Sequence, residues 1–282
     1  MTKGTCLCGT VQYELAQPLS MMMHCHCSMC RKHHGASFAT FVAAPFAAFS
    51  WIAGADAVAR YPSSEHGVRS YCRRCGSVAP LLMPEAGFAV APAGNLDGDP
   101  GIRPQMHVFV GSKAAWYSIS DSLPQHDANP PQFGGGLGVE RPRVEQRDRI
   151  AAGSCLCGAV AYELGGSLRM YHCHCSRCRR ARSSAHATNV VAKLDDFRFT
   201  RGQDLVAEYK VPEARFFGVA FCTRCGGAAP RVSAERGLVN VPAGTLDTDP
   251  GMRPTAHIYV ASKAPWFEIT GDLTQFAEMM PL

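Results

Sequence analysis

A chain of 282 residues, 46% hydrophobic and 18% charged, has the make-up of a folded globular protein with room for about two domains, which excludes disorder and collagen-like repeats. The formal charge is +5. Its fourteen cysteines are too few for a disulfide-dense secreted scaffold and too many to go without a role.

The first nine residues carry one lysine and then cysteines, with no apolar run leading to a small-residue cleavage site, so a reducing, cytoplasmic setting is expected. Cys6-Leu7-Cys8-Gly9 opens the pattern, and residues 11–15 follow as a strand-length run. His24-Cys25-His26-Cys27-Ser28-Met29-Cys30-Arg31 then places three cysteines within six residues. Residues 35–55 carry no charge and have about the length of a membrane span, but Pro45, Ser50 and Gly54 weaken that reading. The matching later stretch, 187–205, holds Lys193, Asp195, Asp196, Arg198, Arg201 and Asp204, so no membrane partner is expected and both stretches read as surface-crossing β structure. Further strand-like runs lie at 49–52, 88–90 and 107–110, and Asp99-Pro100-Gly101 is a strong turn. No amphipathic helix longer than a few turns stands out, which predicts a mainly β fold with a small core stapled by metal.

The pattern then repeats. Cys155-Leu156-Cys157-Gly158, the run from His172 to Arg179 containing Cys173, Cys175 and Cys178, and Cys222-Thr223-Arg224-Cys225-Gly226 return at nearly constant offset from Cys6-Leu7-Cys8-Gly9, His24 to Arg31 and Cys72-Arg73-Arg74-Cys75-Gly76. Pro92-Ala93-Gly94-Asn95-Leu96-Asp97 matches Pro242-Ala243-Gly244-Thr245-Leu246-Asp247, and Ser112-Lys113-Ala114-Ala115-Trp116 matches Ser262-Lys263-Ala264-Pro265-Trp266. Pro130-Pro131, Gly134-Gly135-Gly136 and the mixed charges that follow cannot bury a core. The expected organisation is therefore one copy over 1–123, a linker over 124–150 and a second copy over 151–282, open to packing as a pseudo-dimer.

Seven cysteines per copy is an odd number, a Cys-x-Cys pair is badly placed to bridge to itself, and the setting reads as reducing, so metal is expected rather than disulfides. Zinc takes four thiolates in a closed structural site, while a three-ligand site leaves one vertex for water or substrate, so seven divides into four plus three. Cys25, Cys27 and Cys30 are close enough to converge on one ion, leaving Cys6, Cys8, Cys72 and Cys75 for a structural zinc. The second copy assigns Cys155, Cys157, Cys222 and Cys225 in the same way, with Cys173, Cys175 and Cys178 as its open trio. Up to four zinc ions per chain follow, two structural and two potentially catalytic. Fourteen thiolates against the eight charges of four zinc ions turn the formal +5 into −1, so the apparent basicity is no argument for nucleic acid. His26 and His174 lie between trio cysteines, where an extended turn points the middle side chain away from the ion. Arg31, Lys32, Arg177, Arg179, Arg180 and Arg182 near the trios read mostly as a solvated face. Trp116, Trp266, His107 and His257 read as structural.

These five ordered motifs, each present twice, resemble the glutathione-dependent formaldehyde-activating enzyme family, which includes the centromere protein V domain. The resemblance implies two tandem zinc-stapled β-tent domains, a structural four-cysteine zinc, and a catalytic zinc on Cys25, Cys27 and Cys30 and on Cys173, Cys175 and Cys178. It also implies carbon-sulfur lyase or synthase chemistry on adducts of a small thiol such as glutathione with a small aldehyde such as formaldehyde. Lys113 and Trp116, with Lys263 and Trp266, would help shape the pocket. His33-His34-Gly35-Ala36 follows the family pattern, whereas Ala181-Arg182-Ser183-Ser184 departs from it, with His186 where the first copy has Phe38. A better catalyst is therefore expected in the first copy. A zinc-stabilised binding module and a non-catalytic carrier of glutathione adducts are the alternatives.

Overall fold

The structure, a computed structural model, describes residues 1–65, 67–131, 150–166 and 169–281. It is mainly β. In the first copy the strands are β1 (Thr2–Thr5), β2 (Gln12–Leu15), β3 (Met21–Cys25), β4 (Ala39–Pro45), β5 (Phe49–Ala53), β6 (Val58–Ser64), β7 (Gly67–Cys72), β8 (Leu81–Met83), β9 (Phe88–Pro92) and β10 (His107–Val108), with a single α-helix, α1 (Ser28–His34), between β3 and β4. The second copy adds β11 (Ala151–Ser154), β12 (Ala161–Leu164), β13 (Arg169–Cys173), β14 (Ala187–Lys193), β15 (Phe197–Arg201), β16 (Val206–Lys210), β17 (Gly218–Cys222), β18 (Ala228–Ala229), β19 (Arg231–Ser233), β20 (Leu238–Pro242), β21 (Ala256–Ile258) and β22 (Thr274–Gln275), with α2 (Ser176–Arg182) after β13.

Among the described residues, each copy builds three sheets. The first has the orders β1-β2-β5, β10-β3-β4-β9-β8 and β6-β7; the second has β11-β12-β15, β19-β20-β14-β13-β21-β22 and β16-β17-β18. Strand alternation sets what faces inward: β2 turns Tyr13 and Leu15 into the core while Gln12 and Glu14 stay at the surface side. The uncharged stretch 35–55 is β structure as expected, but its strand β4 lies between β3 and β9 with Val42 and Ala44 fully buried, so it runs through the sheet's interior. One face of β4 is fully buried and the other, with Phe41 and Ala43, is partly buried.

The copies share their cores. Trp266 and Ala264 pack with Tyr13, Leu15, Met22 and Phe38 of the first copy, and Trp116 and Ala114 pack with Tyr162, Leu164 and Met170 of the second. Each tryptophan thus fills the hydrophobic centre of the other repeat, which stabilises both cores by several kcal/mol, on the order of the cost of an aromatic deletion. The start of the expected linker is also structured: His107 N donates to Pro124 O and His126 N to His107 O, at 2.8 and 2.9 Å, so 124–128 run alongside β10. Residues 132–149 of that linker lie outside the described residues.

The helices form the rest of the seam. α1 contacts the turn Ala243–Thr245 and α2 the turn Ala93–Asn95. A Cβ on Gly94 would stand 2.1 Å from Ser184 N, and one on Gly244 would stand 2.4 Å from the carbonyl oxygens of Arg31 and Ala36, so only glycine permits this approach. From the helices, Lys32 Nζ reaches Asp247 at 2.5 Å and Ser154 Oγ at 2.7 Å, and Arg180 pairs with Asp97. Arg179 donates to Gly94 O at 3.3 Å. Three of the basic residues beside the trios are therefore no solvated face, since Lys32, Arg179 and Arg180 bind the copies together, while Arg177 is exposed as expected.

Candidate metal centres

All fourteen cysteines are free thiols, and they gather into four groups whose sulfurs lie within 4.8 Å of one another: Cys6, Cys8, Cys72 and Cys75; Cys155, Cys157, Cys222 and Cys225; Cys25, Cys27 and Cys30; Cys173, Cys175 and Cys178. Each four-cysteine group joins two tight turns about 65 residues apart in its repeat. Gly9 and Gly76 take φ of 76° and 72°, and Gly158 and Gly226 take 75° and 67°. This left-handed backbone lets Gly9 N reach Cys6 O at 3.1 Å and Gly76 N reach Cys72 O at 2.9 Å, folding each pair around a common point. Val11 N and Val160 N donate to Cys6 and Cys155 Sγ at 3.3 Å. Hydrogen bonds from Cys6 and Cys72 hold the Cys8 thiol below its ordinary range, and those from Cys157 and Cys222 do so for Cys155. Four crowded sulfurs with a thiolate among them form a soft donor set that fits a tetrahedral zinc ion.

The trios are built on a strand end and a helix start. Cys25 ends β3, Cys27 caps α1 with its sulfur accepting from Cys30 N at 3.3 Å, and Cys30 lies in the first turn; Cys173, Cys175 and Cys178 repeat this with a bond of 3.3 Å. Cys27 is pushed well below the ordinary thiol range, first by hydrogen bonds from Cys25 and Cys30 and further by the Arg69 charge, while Cys175 is brought down to about 3 by Cys173 and Cys178. Helix-capping thiols of this kind are held as thiolates at neutral pH. A soft ion fits here as well, with a vertex left over.

His26 turns away from the three sulfurs, as its place in Cys-x-Cys dictates. Its Nε2 meets His107 Nδ1 at 2.8 Å, and His107 Nε2 meets both oxygens of Asp121 at 3.0 Å. With an ionised Asp121 accepting from His107 Nε2–H, the His107 Nδ1 accepts from His26 Nε2–H, so the chain Asp121–His107–His26 fixes the backbone between two candidate ligands. His174 and His257 repeat the 2.8 Å contact, but Gly271 stands where the first copy has Asp121. His107 is thus structural, as expected; that it braces the trio from behind was not legible from a strand-like run.

The first trio opens onto a cavity of about 240 Å³, walled by Met23, Met29, Phe41, Val108 and Phe109, with Ser112, Asn129 and, from β7, Arg69 also lining it. Thiols of Cys30, Cys27 and Cys25 push the Arg69 guanidinium up, so it stays charged. Neither Lys113 nor Trp116 lines this cavity: Lys113 Nζ donates to Tyr117 O at 2.6 Å, and Trp116 sits in the second copy's core. Lys263 and Trp266 line a different cavity, of about 710 Å³, between the copies. His33 and His34 are buried at the seam, where His34 Nδ1 meets Arg182 O at 2.7 Å, so the His-His-Gly-Ala segment serves inter-copy packing.

The sequence matches the glutathione-dependent formaldehyde-activating enzyme family over residues 1–112 and again over 150–262. The chain belongs to that family. A Halomonas elongata protein named "Putative glutathione-dependent formaldehyde-activating enzyme" is 27% identical over 127 residues, spanning 42% of this chain and 81% of its own length. A Rhodobacter sphaeroides protein of known crystal structure is 28% identical, covers 36% of this chain and 97% of its own, and superposes with a TM-score of 0.28. Membership in the family accounts for both matched segments and for the ordered cysteine motifs within them. Among the described residues, no helix is long and apolar enough to cross a membrane.

Proposed function

We propose that this protein is a zinc-dependent carbon-sulfur lyase or synthase acting on thiol–aldehyde adducts of the S-hydroxymethylglutathione type, with Cys25, Cys27 and Cys30 as its reactive centre. The observation that carries this reading is that the three thiols of the first copy line a cavity and leave a tetrahedral ion one vertex short, whereas each four-thiol group supplies all four ligands itself. A zinc ion held by the trio would supply a fourth vertex that binds a thiol sulfur as thiolate at neutral pH. The chain's residues then do the rest. Asp121, His107 and His26 keep Cys25 and Cys27 in place from the far side. Met23, Met29 and Phe41 keep the reacting end of the thiol dry, and an enclosed aldehyde beside it makes C–S bond formation effectively intramolecular. Cys6, Cys8, Cys72 and Cys75, with their second-copy counterparts, would hold structural zinc.

Exchange between free formaldehyde, glutathione and their adduct, followed by NMR, tests this. The intact protein accelerates exchange and Cys27→Ser does not; an unchanged rate with intact protein would remove the enzyme, and adduct binding without acceleration would leave a carrier.

A further inference from the structure

The cavity over the first trio is lined by sulfur, thioether and aromatic surface, by the polar side chains of Ser112 and Asn129, and by one permanent charge. That charge is Arg69, on β7 opposite Tyr61 of β6. The guanidinium bonds the Cys30 sulfur, but its Nε is enclosed and has no hydrogen-bond partner among the described residues, and no carboxylate pairs with it there. An enclosed guanidinium N–H with nothing to bond is costly unless something arrives to accept it. The second copy forgoes this group. Its strand β17 carries Val219 at the same place, opposite Tyr209 of β16.

Cavity size narrows the acceptor. A space of about 240 Å³ falls below the range that buries a drug-sized ligand, so it takes the thiol terminus and the aldehyde and leaves the carboxylates of a peptide thiol outside. The acceptor inside the cavity is then the oxygen on the reacting carbon.

Resting on the function proposed above, we infer that Arg69 is a catalytic residue that donates to the oxyanion formed as the carbon–sulfur bond is made or broken, and that turnover is confined to the first copy. In the synthetic direction, a sulfur lone pair of the thiolate forms the C–S bond and the carbonyl π pair moves onto oxygen as alkoxide. The proton that the thiol gave up on ionising returns through solvent to that oxygen. Nothing is oxidised or reduced, and cleavage is the same path reversed. Arg69 bonds the alkoxide more strongly than the neutral carbonyl or hydroxyl, and the apolar walls enlarge that difference by excluding water.

Steady-state kinetics of the same exchange, run on the full chain with Arg69→Met and Arg69→Gln, tests the inference. Calorimetric binding of glutathione and zinc content are measured alongside. We expect kcat to fall by about 10²- to 10³-fold in both variants, with KM, glutathione affinity and zinc content within about twofold of the parent, as for loss of one oxyanion donor. Cys27→Ser abolishes turnover. A raised KM with unchanged kcat would make Arg69 a ground-state anchor and overturn the inference, as would parental kcat in either variant. Should Arg69→Met fail to fold or lose zinc, the Gln variant, which is of the same length and polar but lacks the charge, decides. Half the activity remaining in Cys27→Ser would overturn the confinement to the first copy. A parent protein with no acceleration overturns the functional reading and this inference with it, whereas an active parent with indifferent Arg69 variants overturns the inference alone.

Discussion

Lys32 and Arg180 occupy equivalent places on α1 and α2, and each crosses the seam to the aspartate that ends the other copy's Pro-Ala-Gly motif. Chemically the two pairs are near twins, but their surroundings differ. The Lys32 and Asp247 side chains are 4% and 17% exposed, against 29% and 39% for Arg180 and Asp97. Removing one partner of a buried pair leaves an uncompensated charge and costs about 3–5 kcal/mol, whereas an exposed pair contributes about 0.2–1 kcal/mol. Lys32→Met also strips Ser154 of two hydrogen bonds from Nζ, at 2.9 and 2.7 Å, although Ser154 Oγ still donates to Asp247 at 2.6 Å and softens the loss. We therefore expect Lys32→Met to cost about 3 kcal/mol and Arg180→Met about 0.5 kcal/mol, with Asp247→Asn recovering part of the first loss because it removes the stranded charge. Denaturant unfolding of the zinc-loaded chain reads these differences. Equal costs for the two substitutions would refute the argument, because burial is the main thing that separates the pairs.

Three further outcomes follow from the same geometry. Trp266→Ala should cost about 3–5 kcal/mol and raise hydrogen exchange in β3, β4 and β9 of the first copy more than in the second; faster exchange confined to the second copy would deny the shared core. Cys72→Ser should unfold its repeat by removing a site that contributes on the order of 10 kcal/mol, while Cys27→Ser should keep the fold and lose one zinc by elemental analysis; equal loss of structure in both would sink the division into structural and open sites. Burial holds His186 at about 3 and His257 at about 4, below the ordinary 6.5, so both are neutral in the fold and take up protons on unfolding as pH drops through 6.5. The stability they leave intact above that pH is lost as pH falls toward 4, by about 2 kcal/mol per group at pH 5. His186→Phe, which copies Phe38 of the first repeat, should therefore lose about 2 kcal/mol less than the parent between pH 7 and 5, and a difference that does not move with pH would refute the assignment.

What the sequence revealed and what it hid divide along the range of the interactions. The Cys-x-Cys-Gly and Cys-x-x-Cys-Gly turns were legible because ligand spacing and the following glycine act within five residues, and Gly9 and Gly76 do adopt positive φ. The runs at 49–52 and 88–90 became β5 and β9 for the same local reason, while of the run at 107–110 only His107–Val108 is strand, Phe109 turning left-handed after it. Pro92 to Asp97, by contrast, was visible only as a repeated string. Gly94 is there because α2 of the other copy approaches it, and Asp97 because Arg180, 83 residues away, needs an acceptor. No period or propensity encodes a partner at that distance. The role of His33-His34 was hidden for a related reason: the segment was legible only as a match to the family pattern that favoured the first copy, whereas helix geometry turns the two rings toward Ser70 and Arg182 and into the seam. Arg69 is the converse case, an unremarkable basic residue in a short strand until β7 is seen to pass beside the first trio. Its replacement by Val219 is a one-residue difference between the copies whose consequence lies wholly in where that strand runs. Both copies thus carry the same cysteine frameworks and each contributes to the other's core, while the position of Arg69 and Val219 is where they differ.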